Sequence, residues 1–183
     1  PLLIVLGEPN SIFSEILFKS YKKKIIQKFD RPILIIGSEV LLREQMKRLK
    51  YSINIEKINP INLKNLNLKK KDINIINVDY KFKKVFDRIS NKSNKYISDC
   101  FKIALKLLNE KSAFGLINGP VSKTHFFEKK YLGVTEYLAT KVRAKKKPTM
   151  LIYNSYFSVC PITTHLPIKH VTKNLSKIKI VND

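Results

Sequence analysis

The sequence predicts an α/β protein, a parallel or mixed sheet with flanking helices, organised as one unit over residues 1–183. Three observations predict it. Short apolar runs of strand length recur along the chain, each closed by Gly, Pro or a polar turn. Stretches with helical periodicity follow the runs, the alternation that parallel strands and crossover helices require. Polar residues then cluster just after the apolar runs, where the loops of such a sheet converge.

The elements follow in order. Leu2, Leu3, Ile4, Val5 and Leu6 form an apolar run ended by Gly7 and Pro9, the pattern of a strand buried on both faces. From Ser11 the period becomes helical, with Ile12, Ile16, Tyr21 and Ile25 as inward positions and Asn10 or Ser11 as the N-cap. Residues 32–37 repeat the buried-strand pattern, and Ser38 caps a second helix that runs to about Leu49. Strand, helix, strand and helix in succession mean parallel pairing. Residues 53–58 and 73–78 are further strands. The Asn- and Lys-rich stretches 59–72 and 81–95 are surface connections and short elements, since apolar residues recur too often in them for a tether. A helix over 94–109, with Ile97, Phe101, Ala104, Leu105 and Leu108 on one face, leads into a strand at 113–117. Helices at 122–129 and 135–142, strands at 149–153 and 157–162, and a helix over 169–183 complete the pattern.

Composition sets bounds on function. The formal net charge is +22, yet only 5 of the 36 basic residues are Arg. Nucleic-acid readers lean on the planar arginine fork, so solvated lysines are the better account of this charge than a nucleic-acid surface. Lys, Ile and Asn are abundant while Ala, Gly and Arg are scarce, as AT-rich coding produces without any ligand. The basic field can still draw in an anionic, phosphorylated substrate. No run of about 18 apolar residues marks a membrane helix. The opening run 2–6 is too short for a signal-peptide core and lacks a basic segment before it, so the cytoplasm is the expected location. Cys100 and Cys160 have no CxxC spacing and lie in apolar patterns, as buried reduced thiols do.

Four motifs carry candidate chemistry: Gly7-Glu8-Pro9, Asn118-Gly119-Pro120-Val121-Ser122-Lys123, Gly133-Val134-Thr135-Glu136-Tyr137 and Thr163-Thr164-His165-Leu166-Pro167. In an open parallel sheet, ligands collect beyond the carboxyl ends of the strands. The Gly119-Pro120 turn leads into the expected helix at 122–129, whose first N–H groups would face an anion, and Lys123 adds a mobile positive charge for a substrate phosphate or carboxylate. The plainer alternative is a turn made by Gly119 and Pro120 beside a solvated lysine. The spacing is not that of a Gly-x-x-x-x-Gly-Lys phosphate loop. His165 is the candidate metal ligand, with Thr163 and Thr164 available to hydrogen-bond its surroundings. A single histidine does not make a metal site, and a capped or surface residue is the alternative. His170 falls off the same helical face, and His125 sits amid Phe126 and Phe127 as packing.

Taken together, these four motifs resemble the 4-hydroxythreonine-4-phosphate dehydrogenase family, the NAD-dependent enzymes of vitamin B6 synthesis, over essentially the whole chain. The Asn-Gly-Pro-Val-Ser-Lys turn and the Thr-Thr-His-Leu-Pro segment are the most specific pieces. The resemblance implies an isocitrate/isopropylmalate-dehydrogenase-like fold, truncated, with residues 1–183 as an incomplete α/β unit from the N-terminal part of a longer dehydrogenase. It implies oxidation and decarboxylation of 4-phosphooxy-L-threonine to 3-amino-2-oxopropyl phosphate, with NAD or NADP and a divalent metal (Zn, Mg or Co). It also implies a homodimer, no membrane attachment, Thr135 as a substrate contact, and His165 as one of three metal-binding histidines, the other two lying beyond this chain. The family's His-Thr-Glu triplet is Val134-Thr135-Glu136 here, and its glycine-rich N-terminal loop reads Asn10-Ser11-Ile12-Phe13-Ser14-Glu15. Valine has no hydrogen-bonding group, so one contact worth about 1–3 kcal/mol in a buried polar site is absent or replaced. These departures leave open a dehydrogenase for a related phosphorylated hydroxy acid, a truncated inactive half, and a basic nucleic-acid-binding module. No general base is identifiable in the sequence.

Overall fold

A computed structural model describes residues 1–65, 68–128, 130–145, 148–164 and 166–182. The chain gathers into two compact units, residues 1–130 and 131–183.

Five strands build the sheet of the first unit: β1 (Leu2–Val5), β2 (Ile33–Gly37), β3 (Ile55–Lys57), β4 (Ile73–Asn77) and β5 (Gly115–Asn118), in the order β3-β4-β2-β1-β5. All four pairings are parallel. Helix α1 (Phe13–Lys22) connects β1 to β2, α2 (Glu39–Arg48) follows β2, and α3 (Asn94–Asn109) precedes β5. From β1 the chain steps outward in one direction through β2, whereas the β4-to-β5 connection crosses back over the sheet. Right-handed crossovers therefore place α1 and α2 on one face and α3 on the other. Strand order reverses at β1 and β5, the switch point where open α/β sheets bind ligands.

The core explains why the apolar runs became strands. Every residue of β2 is buried, as a central strand covered on both faces must be. Ile4, Phe18, Ile35, Leu42 and Ile73 belong to one buried cluster with Tyr21 and Met46. The Ser38 hydroxyl accepts from the Leu41 N–H at 3.3 Å, capping α2 as the sequence predicts. Helix α3 spans the expected residues and buries Tyr96, Ile97, Cys100, Phe101, Ala104 and Leu107, while Leu105 and Leu108 are half-buried.

Several expectations need correction. In α1 the buried stripe is Ser14, Leu17, Phe18 and Tyr21. Of the four inward positions expected there, only Tyr21 is buried; Ile12, Ile16 and Ile25 are 69%, 48% and 46% exposed. The i, i+3, i+4, i+7 stripe begins at Ser14, which turns positions 12 and 16 outward. Ile12 occupies the N-cap position with no side-chain bond, and Ser11 instead accepts from the Phe13 N–H at 3.3 Å.

Residues 122–128 form successive turns and no helix. The Ser122 hydroxyl accepts from the His125 N–H at 3.2 Å and the Ser122 carbonyl from the Phe126 N–H at 2.9 Å, a capped single turn that the chain does not extend into a helix. The second unit holds α4 (Val134–Lys141), a hairpin of β6 (Ile152–Tyr153) and β7 (Ser158–Val159), and α5 (Lys177–Asn182). The helix expected over 169–183 is instead two short 3-10 turns followed by α5. There Asn174 donates to the His170 carbonyl at 2.8 Å, and Leu175 is extended. Cys100 is buried as expected, but Cys160 is exposed beside the hairpin. No helix among the described residues is long and apolar enough to cross a membrane.

Candidate functional site

The carboxyl ends of β1 and β5 are held together by backbone contacts that only small residues permit. Gly119 N–H donates to the Val5 carbonyl at 2.7 Å and Glu8 N–H to the Pro120 carbonyl at 2.8 Å. Gly7 has φ of +71°, and a Cβ there would overlap the Pro120 carbonyl and lie 2.9 Å from the Gly119 backbone. A Cβ on Gly119 would in turn overlap the Leu6 carbonyl. The two glycines of separate motifs thus allow one close crossing of two loops, and this is the physical reason both motifs require glycine.

Glu8 anchors the crossing from beneath. Its carboxylate is buried and accepts from the Ser93 hydroxyl at 2.8 Å and from the Asn10 N–H at 3.2 Å. Asn10 Oδ1 then accepts from the Asp87 N–H at 2.9 Å, tying in the loop that follows β4. Gln45 Nε2 donates to the Pro9 carbonyl at 2.7 Å. Tyr96 Oη accepts from the Ser38 N–H at 3.1 Å, and its ring lies 4.9 Å from that of Tyr80. Burial raises the Tyr80 pKa, and the Glu8 and Asp87 carboxylates raise it further. Burial likewise holds the Tyr96 phenol well above its ordinary range. Both tyrosines are therefore neutral hydrogen-bonding groups at physiological pH.

Above this base, the turn after β5 presents the polar groups. Asn118 and Lys123 are exposed, and among the described residues no carboxylate pairs with Lys123. Ser122 Oγ lies 2.9 Å from His125 Nδ1, and the His125 carbonyl accepts from Asn94 Nδ2 at 2.8 Å. His125 is thus a polar partner of Ser122 as well as a half-buried packing residue. An anion approaching Lys123 meets no helix N-terminus, because the expected helix is absent; the ammonium group is the cation available on this turn.

The other expected site residues fall in the second unit. Thr135 is exposed in the first turn of α4, next to Glu136. Val134 opens that helix, and Gly133 at its N-cap offers no side chain. His165, the metal candidate, lies outside the described residues. Among those described, no three His, Cys, Asp or Glu side chains gather so as to hold a metal ion, so they form no metal centre by themselves. The Glu8–Ser93 bond escapes sequence reasoning, because its partners are 85 residues apart.

The fold is that of open parallel α/β domains, whose ligand sites lie in the crevice at the switch point, beyond the carboxyl ends of the strands. The model of the family described as pyridoxal phosphate biosynthetic protein PdxA matches residues 28–183. The chain belongs to this family. It is 34% identical over 183 residues to the 4-hydroxythreonine-4-phosphate dehydrogenase of Sulfurihydrogenibium sp. (strain YO3AOP1), covering 99% of this chain and 54% of that one. With the enzyme of the same name from Aquifex aeolicus (strain VF5) it shares 28% identity, covering 97% of this chain and 53% of the relative. Two crystal structures of enzymes so named have the same fold. The Burkholderia phymatum protein gives a TM-score of 0.84 at 19% identity, over 98% of this chain and 54% of that one. The Klebsiella pneumoniae protein gives 0.80 at 20%, over 98% and 54%. The chain spans about half the length of the curated relatives it matches.

Proposed function

We propose that this chain contributes the substrate-anion edge of a metal- and NAD(P)-dependent dehydrogenase. The reaction oxidises 4-phosphooxy-L-threonine and releases carbon dioxide to give 3-amino-2-oxopropyl phosphate. The observation that carries the proposal is the crossing of Gly7-Glu8 with Gly119-Pro120 at the switch point of a sheet shared with enzymes of that name. Lys123 is the anion contact on the turn after β5, and Thr135 is a substrate contact on α4. His165 is assigned to the metal. A divalent ion held there would supply Lewis-acid polarisation of the substrate hydroxyl, and a nicotinamide cofactor would supply the hydride acceptor.

What the described residues themselves do is bind and position. The buried Glu8–Ser93 bond fixes the loop after β1, and the loop crossing fixes the turn that carries Lys123. A location in the cytoplasm and a homodimer belong to the same proposal. The apolar side chains exposed on the β6–β7 hairpin support the dimer, since a second copy would cover them.

The 183-residue chain, which spans about half the length of the relatives it matches, is expected to bind 4-phosphooxy-L-threonine without reducing NAD. Isothermal titration with that substrate tests binding, and NADH absorbance tests turnover. Lys123→Ala should weaken binding roughly tenfold, the loss of one charge-assisted bond. Unchanged affinity in that variant overturns the Lys123 assignment. Turnover by the 183-residue chain overturns the expectation of inactivity. Val134 in place of the family histidine keeps a related phosphorylated hydroxy acid as the second substrate to titrate.

A further inference from the structure

Between β4 and the 3-10 turn that leads into α3, residues 79–90 form neither helix nor strand, and none of residues 79–92 is buried. Irregular chain of this length needs ties to hold one course over a surface. Residues 80–89 make no backbone–backbone hydrogen bond and no ion pair among the described residues. At the near end, the Tyr80 ring packs on Tyr96 of α3, centroids 4.9 Å apart, and on Phe82 at 6.2 Å. At the far end, the hydrogen bonds to the rest of the chain both run to one side chain. Asn10 Oδ1 accepts from the Asp87 N–H at 2.9 Å, and Asn10 Nδ2 lies 3.5 Å from the Arg88 carbonyl, the outer limit of such a bond.

Asn10 is itself held in place. Its N–H donates to Glu8 Oε1 at 3.2 Å, while Glu8 Oε2 accepts from Ser93 Oγ at 2.8 Å, and that hydroxyl also lies 3.0 Å from the Ser90 carbonyl. One buried carboxylate therefore fixes both the residue that grips the segment and the turn where the segment ends. Asn10 opens the stretch that stands in place of the family's glycine-rich loop, and a glycine there could make neither side-chain bond. The grip acts against strain. Phe86, one residue before the gripped N–H, has φ of +55°, where the Cβ of an aromatic residue is crowded by its own backbone. Release at Asn10 costs one good hydrogen bond and lets Phe86 relax, and no buried side chain has to leave the core.

We propose that residues 80–89 form a strap latched to the loop after β1 by Asn10, and that the strap opens as a unit while the five-stranded sheet stays folded. Opening would bare the loop that carries Glu8, next to the β1/β5 edge, whichever ligand that edge takes.

Amide hydrogen exchange of the full 183-residue chain, resolved by NMR, tests this in urea below the unfolding transition. Exchange at the Asp87 N–H should be slower than in a free peptide and should change by less than about twofold with urea, because opening the strap exposes little new surface. The Leu34, Ile35 and Ile36 amides of β2 should exchange far more slowly, through an opening that urea promotes. Asn10→Ala should speed exchange at Asp87 about fivefold, the loss of one hydrogen bond, and leave the β2 amides within about twofold. Asn91→Ala, an exposed residue just past the strap, should leave both within about twofold. An Asp87 N–H that exchanges at the free-peptide rate overturns the latch, as does one that Asn10→Ala leaves unchanged. Equal acceleration at Asp87 and in β2 overturns it too, since Asn10 would then support the whole fold. If Asn10→Ala does not fold, the unaltered chain decides: an Asp87 N–H that exchanges with the rate and urea dependence of β2 opens only by global unfolding, and the strap is overturned.

Discussion

Two stretches of similar apolar character meet opposite fates in this molecule. In β2, Leu34, Ile35 and Ile36 are completely buried, whereas on the hairpin of the second unit Tyr153, Tyr156 and Phe157 are 77%, 93% and 69% exposed. The difference lies in what each stretch has beside it. Strand β2 has β1 and β4 as neighbours, α1 and α2 on one face and α3 on the other. The hairpin is a ladder of two residue pairs, with every residue exposed. An apolar run announces a strand, but only its partners decide whether that strand becomes core.

The largest expected effect puts this difference to the test. Phe18 is fully buried against Tyr51, their ring centroids 5.5 Å apart. Phe18→Ala should destabilise the protein by about 3–5 kcal/mol through lost burial and the cavity left behind. Phe157→Ala should change stability by less than about 0.5 kcal/mol when the chain is monomeric. Urea unfolding followed by circular dichroism reads both. A large loss for Phe157→Ala that grows with protein concentration would mean that a second copy covers the hairpin.

The two cysteines make the same comparison chemically. Burial pushes the Cys100 thiol up to about 12 from an ordinary value of 9.0, while Cys160 is exposed. A thiol-specific reagent at mildly alkaline pH should therefore label one thiol per folded chain and two per unfolded chain. The sign of the pH effect follows from proton counts. Between pH 9 and about 12 the unfolded thiol has lost its proton and the folded one keeps it, so stability falls as pH rises. The contribution is fully present below pH 9 and is lost through that window at up to about 1.4 kcal/mol per pH unit. Cys100→Ala should flatten the alkaline stability profile by that slope, and an unchanged slope would show that the thiol does not titrate with folding.

How far the sequence disclosed this arrangement varies in a physically sensible way. Strands β1, β2 and β4 were legible because buried parallel strands are continuous apolar runs. Helix α3 was legible because its periodicity persists over four turns. The inward face of α1 was not, because isoleucine at 12, 16 and 25 carries as much hydrophobicity as the residues that face the core. In the candidate site, the need for glycine at 7 and 119 was visible as motif residues. Its cause, one loop crossing the other, was not, since nothing in a sequence says that residues 112 apart touch. The Ser122 turn misled for a different reason: the serine caps one helical-type turn at Phe126, and a start signal does not tell whether the turns after it follow.

The smallest expected effect concerns helix ends in both units. After α1, α2, α3 and α4 the chain closes in the same way, with paired bonds back to the last turn of each helix. The residue that turns left-handed in each closure is Lys24, Lys50, Lys111 or Arg143, at φ between 51° and 57°. Glycine is the usual occupant, but this chain has only 5 glycines. A side chain in that conformation costs roughly 1–2 kcal/mol. Glycine gives back part of this through its freer unfolded chain and the loss of a cation near the helix C-terminus. Lys111→Gly should therefore stabilise the first unit by about 0.5 kcal/mol, a gain read as a shift in its urea midpoint. Arg143→Gly should bring a similar gain to a different transition, because the second unit exposes its apolar residues and should unfold at lower denaturant. If both substitutions move one shared midpoint, the two units fold cooperatively and the contrast between them is confined to surface exposure. If each moves its own, burial has divided the molecule thermodynamically as well as structurally.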